Sequence, residues 1–142
     1  MLSRADIKSR KLDMAEDDAE WQIVLNLPRP PSVNRFMKRL GNKSPAVKAW
    51  TAEADYQLYA ARAARRGTPS EIVPIKGLFE AQFIFQRSSR GGDIDNRVKP
   101  LLDWLQRVEL IENDSMCECL ICGRGKVPLG VRVRLRQYEP SL

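Results

Sequence analysis

Apolar and polar positions change their period several times along the chain, and each change predicts an element. From Trp21, apolar residues fall at every second position (Trp21, Ile23, Leu25, Leu27), the spacing of a strand with one buried face. Pro28, Pro30 and Pro31 end the run, because proline has no N–H to give to a ladder. Ser32 to Lys43 reads as a loop. Ser44-Pro45 offers a capping hydroxyl followed by proline at the first helical position. Val47, Trp50, Ala54, Leu58 and Ala61 then recur at three- and four-residue steps, predicting a helix of about five or six turns with one buried stripe. Gly67 and Pro69 stop it. Arg62, Arg65 and Arg66 in its last turn complement the helix dipole.

A second alternating run, Phe79, Ala81, Phe83 and Phe85, predicts a strand, and Arg87 to Gly92 breaks it as a basic, flexible loop. Ile94, Val98, Leu101, Leu102, Leu105 and Val108 return to helical spacing. Two more strands follow, about Met116 to Arg124 and about Gly130 to Tyr138, joined by a turn through Gly125, Pro128 and Gly130. The order is β-α-β-α-β-β. The strands keep a partly polar second face, which predicts an α+β fold with a mixed β-sheet and helices packed mainly on one face. A length of 142 residues suits a single domain. Residues 1–20 are polar and weakly patterned, and read as a mobile N-terminal arm ahead of a body spanning 21–142.

Composition narrows the chemistry. Histidine is absent, which removes Ser-His-Asp and Cys-His catalysis and histidine metal ligands together. Three cysteines, an odd number, speak against a disulfide framework and fit a reducing compartment. Cys117, Cys119 and Cys122 lie in a strand-like run without a fourth thiol, so they read as packed thiols rather than a zinc site. Trp21, Trp50 and Trp104 likewise read as packing. No apolar stretch reaches the roughly 18 residues of a membrane span, and the first twenty residues lack the apolar core of a secretory signal. Net charge is +6. Residues 1–20 hold four basic and six acidic groups, so the remainder carries +8. A basic body points to a polyanionic partner, most often nucleic acid. The acidic stretch Glu16 to Glu20 is either a solvated tail or a cover over a basic groove.

The most informative segment runs from Arg90 to Pro100. Asp93 and Asp95 are one residue apart, and carboxylates are the ligands of Mg²⁺ and Mn²⁺. Two such groups close together repel unless a cation or a proton lies between them. The alternative is helix capping, since Asp and Asn favour helix starts. Lys99 lies nearby, and Pro100 predicts a helix that begins there or has an irregular first turn. Asp114, Glu109 and Glu112 are rival third acids. On the last strand Arg132, Arg134 and Arg136 share one face. They read either as the charged outer face of an edge strand or as a row of phosphate contacts. Lys38, Arg39, Lys43, Arg87, Arg90 and Arg97 are further candidates for holding a DNA backbone. Val24 and Ile84, on the polar side of their strands, are candidate contributors to a subunit interface.

These residues resemble a known family. Leu27 to Phe36, which reads L-P-R-P-P-S-V-N-R-F, is similar to the opening motif of RusA-type Holliday junction resolvases. Asp93-Ile-Asp95-Asn96-Arg97-Val-Lys99 resembles that family's D-[LI]-D-N-x-x-K core, and Asp114 falls at the spacing of its third acid. The resemblance covers roughly Trp21 to Tyr138. It implies a homodimeric, Mg²⁺-dependent endodeoxyribonuclease, cytoplasmic and of bacterial or phage origin, that nicks four-way DNA junctions in recombination and repair. It also implies that Asp93, Asp95 and Asp114 bind metal, that Lys99 is the essential lysine, and that Asn34 and Arg35 approach the site or the DNA. The chain departs from the pattern at Asn113, where relatives often carry a further acid, and in residues 1–20.

Overall fold

The computed structural model describes residues 18–32, 45–87 and 94–140. Strand β1 spans Ile23–Leu27, helix α1 Pro45–Arg65, strand β2 Phe79–Gln86, helix α2 Asp95–Arg107, strand β3 Cys117–Gly125 and strand β4 Val131–Gln137. Short 3-10 turns at Asp18–Glu20 and Asp114–Met116 precede β1 and β3. The elements follow the predicted β-α-β-α-β-β order, with β1 starting at Ile23 rather than Trp21. No helix among the described residues is long and apolar enough to cross a membrane.

The sheet order is β1-β4-β2-β3. β4 runs antiparallel to both β1 and β2, and β2 and β3 are parallel. Parallel neighbours need a crossover, and α2 supplies it. The connection from β3 to β4 is short but makes no hairpin, because β2 lies between them. It crosses the end of β2, where Gln86 N–H donates to Gly130 O (2.9 Å) and Arg87 N–H to Gly125 O (2.9 Å). Gly130 passes so close to the β1 end that a Cβ there would sit 2.0 Å from the backbone nitrogen of Arg29.

Both helices pack on one sheet face. Ile23, Leu25 and Leu27 of β1, Phe79, Ala81, Phe83 and Phe85 of β2, and Val131, Val133 and Leu135 of β4 meet Trp50, Ala54 and Leu58 of α1 and Leu101, Trp104 and Leu105 of α2. Trp50 and Trp104 meet edge to face, with centroids 6.1 Å apart, an arrangement the ring quadrupoles favour. Their indole N–H groups are satisfied by Pro28 O (2.8 Å) and Asp55 Oδ1 (2.9 Å). These two tryptophans are packing residues, as the sequence suggests.

The opposite face departs from expectation. β4 is an inner strand, not an edge, and its arginines do have acidic neighbours. Asp18 accepts from Arg134 Nε and Nη2 through Oδ1 (2.9 and 2.6 Å) and from Arg132 Nη1 through Oδ2 (3.0 Å). Arg134, fully buried, also donates to Gln82. Arg136 pairs with Glu80, reaches Glu20 O (3.4 Å), and lies 4.2 Å from the centroid of the Trp21 ring. A guanidinium out of water needs a hydrogen-bonded counter-charge, and the segment just ahead of β1 provides it. Asp18 and Glu20, within the segment expected as an arm, therefore contact the folded body. Ile84 is fully buried within the single chain and has no surface to offer a second subunit.

Candidate active site

Helix α2 opens on an apolar N-cap residue. Ile94, at the N-cap, makes no side-chain cap bond, and Asp95 is the first helical residue. The opening turn is tight, with Arg97 N–H donating to Ile94 O (2.9 Å). Pro100 sits inside the helix and is buried. Lacking an N–H, it leaves the Asn96 carbonyl without its helical partner. The irregular first turn expected from Pro100 is thus present, and the helix runs through it.

Asp95, Lys99 and Asp103 fall four residues apart on α2, which places them along one stripe of the helix. The Lys99 ammonium lies 2.9 Å from Asp103 Oδ1 and 2.6 Å from Asp114 Oδ2. The hydrogen bonds from Asp114 and then Asp103 raise the lysine above its ordinary 10.5, against a smaller opposing effect of burial. Lys99 is accordingly a fixed positive charge at neutral pH and not a proton acceptor. Asp95 is exposed, with no hydrogen bond or ion pair among the described residues.

Asp114 reaches Lys99 because of how α2 ends. Glu109 adopts φ 63°, its N–H donates to Gln106 O (3.1 Å), and Leu110 N–H donates to Leu105 O (3.0 Å). This is the Schellman stop, normally built on glycine. Buried Leu110 and Ile111 then pin the chain to the core, and Ile111 bridges to Ile75 in parallel. Asn113 Oδ1 accepts from Ser115 N–H (2.9 Å), capping the turn that carries Asp114. Gln106 Oε1 accepts from the backbone N–H of Asp114 (3.0 Å). Of the three rival acids, Asp114 is the one brought to Lys99. Glu112 is spent on the backbone N–H of Gly77 (2.6 Å), and Glu109 forms the helix stop.

Asp93, Asn34, Arg35, Lys38, Arg39, Lys43 and Arg90 lie outside the described residues. Arg97 donates to the carbonyl of Pro30, tying α2 to the proline segment after β1. Exposed Arg87 donates to Arg124 O (3.4 Å). Arg132, Arg134 and Arg136 are held by Asp18, Gln82 and Glu80, on the sheet face away from both helices. Three residues of the site escape sequence reasoning: Asp103, Gln106 and the capping role of Asn113. The four-residue spacing from Lys99 signals Asp103, while nothing in the sequence signals the other two.

The donor chemistry suits a hard divalent cation. Asp114 and Asp103 are oxygen donors whose charge the Lys99 ammonium answers, and Asp95 opens to solvent one turn ahead. Among the described residues no group of three His, Cys, Asp or Glu side chains could hold a metal ion, so a third carboxylate would have to come from Asp93. The thiols offer no softer alternative, since burial pushes Cys122 up to about 12 and keeps it protonated. In comparisons with known proteins, no family model and no curated protein matches the chain.

Proposed function

We propose that this chain is a divalent-metal-dependent endodeoxyribonuclease that cuts four-way DNA junctions by paired symmetric nicks. The observation that carries this reading is the Lys99–Asp114 pair, 2.6 Å apart, at the positions where the resemblance to RusA-type resolvases puts the essential lysine and the third acid. Asp93, Asp95 and Asp114 are the residues that would hold Mg²⁺ or Mn²⁺. When bound, such an ion supplies charge screening at the scissile phosphate and a water of lowered pKa.

The chain's own groups do the rest. Lys99, held protonated, stabilises negative charge that builds on the phosphate or leaving oxygen as the bond breaks. Asp103 positions the lysine from one turn away on the same helix. Gln106 and Asn113 fix the backbone of Asp114, so the carboxylate keeps one orientation. Hydrolysis with a 3′-hydroxyl leaving group needs no histidine. A junction has near two-fold symmetry, and a C2 homodimer would present two such sites to it.

The test is cleavage of a synthetic four-way junction in Mg²⁺, with linear duplex and flap DNA alongside. The expected result is paired nicks in the junction only, abolished in Asp93→Asn with binding retained. Equal cutting of flaps would leave a nuclease of broader choice. Binding without any Mg²⁺-dependent cutting would leave a non-catalytic DNA-binding module.

A further inference from the structure

Helix α1 keeps an outer face that the proposed chemistry does not use. Tyr56 and Tyr59 are 61% and 72% exposed, although the solvent side of a surface helix is normally polar. From Tyr59 the sequence runs Tyr-Ala-Ala-Arg-Ala-Ala-Arg-Arg. Arg62 follows Tyr59 at three residues, on its side of the helix, with only alanine methyls between, and Arg66 is the first residue past the helix end. Arg62, Arg65 and Arg66 form no ion pair among the described residues.

Beside this face is a cleft of about 280 Å³ lined by Asp55, Leu58, Tyr59, Arg62, Arg107 and Val108. That is below the roughly 300–1,000 Å³ of pockets for whole small molecules, and suits a flat fragment. Its acid is already engaged, because Asp55 Oδ1 accepts from Arg107 (2.5 Å) and from Trp104 (2.9 Å).

We infer that this face is a docking surface for an unpaired nucleic-acid strand at the branch point: one base stacks on Tyr59, and Arg62 and Arg66 take the flanking phosphates. The inference rests on the nuclease reading and deepens it. Sequence-tolerant binding of single strands combines an aromatic platform with a basic track, and both are here. Arg107, on the wall of the cleft, lies eight residues beyond Lys99 on α2, about 12 Å along the axis. One strand can serve both places. A second copy of the chain fits the face poorly, because a two-fold contact would bring two arginine clusters into one interface.

The experiment is equilibrium binding of a labelled thymidine oligonucleotide, a four-way junction and a linear duplex, without divalent metal so that nothing is cut. Tyr59→Ala is expected to weaken oligonucleotide binding about tenfold and duplex binding little, while Tyr59→Phe binds as wild type. Arg62→Gln with Arg66→Gln is expected to lower the salt dependence of oligonucleotide binding by about 1.4 in logarithmic slope. Wild-type affinity in Tyr59→Ala overturns the inference, as does an altered sedimentation coefficient of that variant, which would make the face a contact between copies. If wild type cuts junctions while these variants bind unchanged, only this inference fails. If wild type binds no DNA, the nuclease reading fails with it.

Discussion

Lys99 stands between two carboxylates that come from different parts of the chain, and its behaviour is where the proposed chemistry is most exposed to test. Its partners favour the charged form, so its folded pKa lies above the ordinary 10.5. A raised pKa means that the pair's stabilisation is present below that ordinary value and is lost only as pH rises through the higher, folded one. Cleavage is expected to show no lysine limb between pH 7 and 10. Lys99→Gln should cut about 10²–10³-fold more slowly at every pH in that range. Its stability should move by less than about 1 kcal/mol, because the lysine side chain is 58% exposed and water screens the pair. A rate that falls with an apparent pKa well below 10.5, with the limb gone in Lys99→Gln, would contradict the fixed-charge role.

At the scale of elements, the site depends on the stop of α2, which puts Asp114 back beside its own helix. Glu109 holds a left-handed conformation that costs a side-chain-bearing residue more than glycine. Glu109→Gly is expected to stabilise the fold by up to about 1 kcal/mol, read as a higher denaturant midpoint with unchanged slope. A loss of stability would mean that the side chain of Glu109 does more than the stop requires. Among the described residues, the existence and type of both α-helices and all four strands were legible in the sequence, since periods of two and of about 3.6 report which residues share a buried face. The order of strands was not. Periodicity assigns a residue to a face but does not say which strand lies next. The Arg132, Arg134 and Arg136 alternation therefore read either as an edge strand or as a row of phosphate contacts, whereas β4 lies between β1 and β2 with Asp18 brought to it across 116 residues of sequence from Arg134. The same limit applies within the site. Lys99 and Asp103 share a helix, so their pairing follows from spacing, but the choice of Asp114 over Glu112 depended on where a turn lands. Glu112 was removed by a backbone N–H of Gly77, a partner 35 residues distant.

For the molecule as a whole, the charge map has two parts. On the helix-free face the basic strand is answered by Asp18, Glu20 and Glu80. On the helical side Arg62, Arg65 and Arg66 stand without acids among the described residues, and Lys99 sits at the candidate site. The claim on which this account depends is that Asp95 and Asp114, with Asp93, hold one pocket for a divalent ion. Titration of the protein with Mn²⁺, followed by the electron paramagnetic resonance signal of the free ion, tests it directly. The account predicts Mn²⁺ uptake by wild type that Mg²⁺ displaces, weakened at least about tenfold in both Asp95→Asn and Asp114→Asn. Uptake that is the same in wild type and both variants, or absent from wild type, would contradict it.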